Sequence, residues 1–101
     1  MSRENQNQGG SEIELDVAEI RLPQYRVILI NDDYTTFEFV VYVLMNIFGK
    51  GLDEAERITM LVHQSGKGVA GTYLREIAEM KVKLVHELAQ ANDYPLQAQI
   101  E

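Results

Sequence analysis

Apolar residues along this chain fall into successive runs whose spacing changes from that of a strand to that of a helix and back. Tyr25-Arg-Val-Ile-Leu-Ile30 is apolar and β-branched and is closed by Asn31-Asp32-Asp33, which predicts a buried strand running into a turn. Thr35-Thr-Phe-Glu38 matches a capping box, with the Thr35 hydroxyl on the Glu38 amide and the Glu38 carboxylate reaching back to the cap. Phe37, Val40, Val41, Leu44, Met45 and Phe48 then recur on one helical face until Gly49-Lys50-Gly51 ends the run. Asp53 with Glu56 repeats the cap for a second helix carrying Ala55, Ile58, Leu61 and Val62 and closed by Ser65-Gly66. Lys67 to Tyr73 reads as a short strand, weakened by Gly68 and Gly71. Leu74 to Ala91 is the plainest helix, with Ile77, Ala78, Val82, Val85, Leu88 and Ala89 on one side and Asn92-Asp93 as its stop. Pro95 to Glu101 alternates like a final half-buried strand, Pro95 standing at its first position. The order β-α-α-β-α-β predicts an α+β domain over residues 23–101, a three-stranded antiparallel sheet with three helices and one sheet face open or partly covered.

Before Pro23 no such face is built. Residues 1–22 begin polar and Gly-containing, then alternate apolar and acidic residues from Glu12 to Val17. That second stretch has the pattern of an edge strand, but we read the whole as a disordered, solvated leader. The chain is 101 residues long with 9 Lys+Arg against 16 Asp+Glu, a formal charge of -7. A single small domain is the most this length holds, and a multi-domain enzyme with a large cleft does not fit it. The negative balance argues against nucleic acid and anionic membrane surfaces, both of which require clustered Lys/Arg, and suits a cationic ligand. Two basic and five acidic side chains fall in residues 1–22, seven and eleven in the rest, so the excess is shared between leader and domain. The absence of Cys removes disulfides, thiolate zinc sites and thiol nucleophiles, and fits a reducing compartment. The longest apolar run, Phe39 to Met45, is far short of the ~20 residues of a membrane span. No signal peptide is visible at the N-terminus, so a cytoplasmic monomer is expected.

The densest polar cluster is Asn31-Asp32-Asp33, where a strand meets a helix start. Two adjacent carboxylates and an amide oxygen concentrate acceptors and negative charge there, although the same residues also serve ordinary turns. His63 near the end of the second helix is by itself as well explained as a core-edge residue, and His86 falls on an exposed face with no role assigned. Asp32, Asp33 and His63 have no known metal-ligand spacing, and no metal or other cofactor is expected. No Ser or Thr sits in a nucleophile elbow, and Gly66-Lys-Gly68 lacks the rest of a phosphate loop. A pocket with acceptors at its rim and Phe37, Val40 and Val62 below suits a ligand with a cationic head and an apolar side chain. A free peptide N-terminus with a large hydrophobic first residue fits that description, since an ammonium offers three donors for charge-assisted bonds. A general protein-interaction module without such selectivity is the alternative, and a small hydrolase using the Asp pair a third class.

The residues that carry this chemistry also carry a resemblance. Tyr25 to Thr35, Phe37-Glu-Phe-Val40, Val62-His63, Gly66-Lys67, Ala78-Glu-Met-Lys81 and Pro95-Leu96 resemble, in register and in order, the ClpS family of adaptors of the bacterial Clp protease system. The resemblance runs from about Tyr25 to the C-terminus. It implies a non-enzymatic adaptor that binds N-degrons, substrates whose first residue is Leu, Phe, Tyr or Trp, and delivers them to the N-terminal domain of a ClpA/ClpC-type AAA+ unfoldase, with an unfoldase inhibitor lacking N-degron selectivity as the alternative. By position it assigns Asn31, Asp33 and His63 to the α-amino group and first peptide unit, with Asp32 in support. It assigns Thr35, Phe37, Val40, Val62 and Leu96 to the side-chain pocket, and Glu76 and Lys81 to docking on the unfoldase, with the leader engaging it during delivery. The family usually has Pro then Met after the Asn-Asp-Asp-Tyr-Thr block, where this chain has Thr36 and Phe37. A second pocket-facing Met, one turn before the His, is Thr59 here, with Met60 beside it. A stiff aromatic thus replaces a flexible thioether at one gate position and a smaller polar residue replaces it at the other, while the amine-binding set is intact.

Overall fold

The computed structural model describes residues 22–101. Its elements are β1 (Gln24–Ile30), α1 (Phe37–Asn46), α2 (Leu52–Ser65), β2 (Lys67–Leu74), α3 (Arg75–Ala91) and β3 (Gln97–Ile100), in the predicted order. The expected leader over 1–22 lies, Leu22 excepted, outside the described residues. The sheet runs β2-β1-β3 with both pairs antiparallel. β1 is hydrogen-bonded on both edges, and its Val27 and Leu29 enter the core with no exposure. Ile28 points to the opposite face, where it is buried without joining that core. On the same side the Glu101 carboxylate spans Lys67 Nζ at 3.0 Å and Arg26 Nη2 at 3.6 Å. Between Val27 and Ile28 the register with β2 shifts, leaving Ala70 as the extra residue of a bulge. α3 lies across all three strands, while α2 packs along β2 and against α1.

Two caps differ from their sequence expectation. The N-cap of α1 is Thr36, whose Oγ1 accepts from Phe39 N at 3.1 Å. The Thr35 side chain is turned toward Asp32 instead, its hydroxyl donating to Oδ2 at 2.8 Å. The shift of one residue places Glu38 second in the helix rather than third, so the reciprocal half of a capping box is not built and Glu38 serves only as an acidic residue in the first turn. The second helix begins at Leu52 behind Gly51, which has no side chain to cap with, and Asp53 and Glu54 face the N-terminal dipole instead.

The buried face of α1 is also rotated from the expected one. Phe39, Val40, Val43 and Leu44 are buried, whereas Met45 is exposed and Phe37 and Val41 are half-buried. The run Phe37 to Met45 is apolar at all but one position, so spacing alone does not select a face. In α2, Thr59 takes the inward position expected of Leu61. Its hydroxyl donates to Ala55 O at 2.7 Å, which satisfies it in the interior. On α3, Ala78, Val85 and Ala89 form the buried line, and Ile77 lies at its exposed flank. His86, expected on an exposed face, is half-buried and accepts from Ala98 N at 3.1 Å.

Candidate functional site: an acceptor loop beside an imidazole

Antiparallel pairing puts the end of β1 beside the start of β2, with Ile30 opposite Lys67. The loop that leaves β1 therefore meets the last turn of α2. Asn31 N donates to Gly66 O at 2.9 Å and fastens the two together through main chain alone. Gly66 closes α2 at φ 91°, a left-handed conformation that glycine adopts without penalty, and so reverses the chain at once into β2. A Cβ at Gly68 would stand 2.9 Å from Val62 Cγ2, so this glycine lets α2 lie close on β2 and fixes where Val62 and the adjoining His63 are presented.

Within the loop Asp32 is the organiser. Its Oδ1 accepts from the amides of Tyr34 at 2.8 Å and Thr35 at 2.7 Å, and its Oδ2 from the Thr35 hydroxyl. Partial burial alone would raise the Asp32 carboxyl pKa. The three bonds from Thr35 and Tyr34 outweigh that and hold it below its ordinary value. The side chains of Asn31, Asp33 and His63, in contrast, make no hydrogen bond to the described residues. Asp33 and His63 are exposed and Asn31 half-buried. Of the four polar groups at this corner, Asp32 builds the loop, and the side chains of the other three bond to none of the described residues.

The expected pocket residues occupy different depths. Val40, Val62 and Leu96 belong to the hydrophobic core, and Thr59 is buried beside it. Thr35 and Phe37 are half-buried near the surface, and Met60 is 46% exposed. The ring of Phe37 meets the imidazole of His63 edge-on, with centroids 6.3 Å apart and planes at 75°. Three surface concavities of about 340, 390 and 350 Å³ lie elsewhere and include none of Asn31, Asp33 or His63. Among the described residues no group of three or more His, Cys, Asp or Glu is placed to hold a metal.

Sequence reasoning passed over Tyr94. Its ring packs on Phe39 with centroids 4.6 Å apart, and its hydroxyl lies 3.4 Å from the Thr36 Oγ1 that caps α1. A contact across 58 positions leaves no trace in local spacing. Glu76 is exposed in the first turn of α3, beside an apolar concavity lined by Leu22, Pro23, Tyr25 and Ile77. Lys81 is half-buried, with Nζ donating to Ile47 O at 2.6 Å and lying over the rings of Tyr73 and Phe48 at 5.5 and 5.9 Å. Since α3 begins where β2 ends, Glu76 and the acceptor loop sit at opposite ends of the sheet, about 20 Å apart along a seven-residue strand.

A small α+β domain whose side chains at 31, 33 and 63 bond to none of the described residues has the build of a binding module. The family model described as "ATP-dependent Clp protease adaptor protein ClpS" matches residues 21–99, and the chain belongs to that family of adaptors, which are not enzymes. It is similar to the ATP-dependent Clp protease adapter protein ClpS of Desulforapulum autotrophicum, at 52% identity over 78% of this chain and 76% of that one. It is similar also to the ClpS of Desulfotalea psychrophila, at 46% identity over 100% of this chain and 98% of that one. Among solved structures, ClpS2 of Agrobacterium tumefaciens bound to L-phenylalaninamide superposes with a TM-score of 0.77 at 38% identity, covering 80% of this chain and 98% of that one. Among the described residues no helix is long and apolar enough to cross a membrane.

Proposed function

We propose that this protein binds the free α-amino group and bulky hydrophobic first residue of N-degron substrates and delivers them, in the cytoplasm, to the N-terminal domain of a ClpA/ClpC-type unfoldase. The observation that carries the reading is that the side chains of Asn31 and Asp33, on a loop whose own hydrogen bonds are made by Asp32, and of His63, in the last turn of α2, bond to none of the described residues. An ammonium is a cation with three donors, and a carboxylate, an amide oxygen and an imidazole nitrogen are its natural acceptors. L-Phenylalaninamide, the ligand in the Agrobacterium structure, has a free amine, a benzyl side chain and a carboxamide in place of a peptide bond. It is chemically the first residue of such a substrate. Val40, Val62 and Leu96 supply the apolar floor, Thr35 and Thr59 its polar margin, and Met60 an exposed flank. Phe37, set edge-on to His63, is the group a first side chain displaces on entry.

On this reading the two functions use separate ends of the molecule. The peptide site lies where β1 meets α1 and Glu76 marks the docking face at the start of α3, so a bound peptide leaves the unfoldase contact uncovered. Lys81 contributes to that face through the helix it steadies, since its ammonium is engaged at Ile47.

Fluorescence anisotropy with peptides beginning Phe or Leu, against the same peptides N-acetylated, tests the reading. Binding confined to the free amines is the expected result. Equal affinity for both forms would replace it with the general interaction module.

A further inference from the structure

We infer that His86 is a positioning residue which, as a neutral imidazole, pins the C-terminal strand to α3, and that its protonation releases that strand. β3 is four residues long and forms one edge of the sheet, paired to β1 alone. Arg26 and Glu101 exchange both main-chain bonds, at 3.1 and 2.8 Å. In an antiparallel ladder such bonded pairs alternate with non-bonded ones, so Ile28–Gln99 is bonded and Leu29–Ala98 is not. The Ala98 N–H therefore points away from β1. Ala98 is buried, 5% exposed, so its amide has little access to water and requires an acceptor within the protein. His86 Nε2, at 3.1 Å, is that acceptor.

The bond fixes the state of the ring. Nε2 accepts, so the imidazole proton is on Nδ1, and a second proton would turn the acceptor into a donor facing the Ala98 N–H. Among the described residues no carboxylate lies within ion-pair distance of the ring. One turn away on α3 stand Val82, Lys83, Ala89 and Gln90, of which only Lys83 is charged, with the same sign. Glu87 is adjacent in sequence and turned to another face, and Glu79, two turns away, is bonded to Arg75. Of the strands packed against α3, Val27 to Ile30 and Gln97 to Ile100 carry no titratable side chain. Arg26, Lys67 and Glu101 are paired with one another, and Tyr73 lies against Lys81. The hydrogen bond to Ala98 thus belongs to the neutral form of the ring.

The strand is linked to the binding end of the molecule. Leu96, 2% exposed, immediately precedes β3, and Tyr94 holds Phe39 and the Thr36 cap at the start of α1. Loosening β3 loosens the support behind Phe37 and the acceptor loop.

Hydrogen-exchange protection of the Ala98 amide, followed by NMR at about pH 7.5 and about pH 5, tests the inference in the absence of any peptide. In the native chain the protection factor is expected to fall about tenfold on acidification, the scale of one lost hydrogen bond. In His86→Gln, whose amide oxygen accepts at both pH values, it should hold, and in His86→Ala it should be low at both. Protection that is insensitive to pH, or that falls equally in the native chain and in His86→Gln, overturns the proposal. His63 is common to both chains, so any contribution from it cancels in that comparison. The effect on a Phe-initial peptide rests on the peptide-binding reading above, and affinity should drop more on acidification in the native chain than in His86→Gln. Absence of peptide binding at the higher pH would overturn that reading and leave the Ala98 result standing on its own.

Discussion

The ammonium of Lys81 lies 2.6 Å from the carbonyl oxygen of Ile47, the residue that caps the C-terminus of α1. A positive charge there meets the negative end of the helix dipole, and the rings of Phe48 and Tyr73 flank it. α1 carries no basic residue in its own last turn, so α3 supplies the charge. Lys81→Met keeps the stem and removes the charge. It should cost about 1–2 kcal/mol of stability in urea denaturation. A midpoint equal to that of the native chain would mean that the contact is idle in solution. Docking is accordingly better probed at Glu76, where exposure separates partner binding from folding.

Neighbouring acids in the loop should behave oppositely. Asp33→Ala removes an exposed carboxylate that bonds to none of the described residues, so stability should stay within about 0.5 kcal/mol. The affinity for a Phe-initial peptide should fall by about 1.5–3 kcal/mol, the range for a charged hydrogen bond. Asp32→Ala should reverse that order, because three bonds within the loop disappear with it. Calorimetric titration together with thermal melts of both variants separates the two roles.

Acid should act on the fold through Asp32. Its folded pKa is depressed, so its contribution is complete above the unfolded value of about 3.9 and is lost as pH falls through the lower, folded one. The stability gap between the native chain and Asp32→Asn should be constant from neutral pH to about pH 5 and should narrow below about pH 4. A gap that widens on acidification would contradict the assigned bonds.

Thr35 and Thr36 look interchangeable in sequence and are not. Thr36→Ala deletes the cap of α1 and should cost about 1 kcal/mol, visible as lost exchange protection in the first turn of that helix. Thr35→Val should leave the helix protected and loosen the loop, since its hydroxyl serves Asp32.

The element order and the acceptor cluster were legible because each rests on a signal a few residues long. Strand Tyr25 to Ile30 announces itself by composition, the helices by spacing and the loop by three adjacent polar residues. What was hidden depended on competition or on distance. Thr35 and Thr36 both satisfy a cap pattern, and only the folded loop shows the Thr35 side chain turned to Asp32 and that of Thr36 to the helix. The face of α1 was ambiguous because Phe39 and Val43 are as apolar as the residues expected in their place. Tyr94 and His86 find Thr36 and Ala98 only once the sheet has closed, and local sequence records neither meeting. His86 looked exposed because its helical position lies beside the apolar line, where β3 happens to cover it.

The bond from Asn31 N to Gly66 O joins the recognition loop to α2 through atoms that every residue but proline possesses. The geometry of the site is therefore independent of the identity of residue 31, while its chemistry is not. On the proposed reading, substitutions at 31, 33, 37 and 63 would retune which amine and which first residue are held without moving the main-chain platform beneath them. Proline at 31 is the one substitution that would cut the loop from its anchor, and it would do so without removing a single recognition group at 33 or 63.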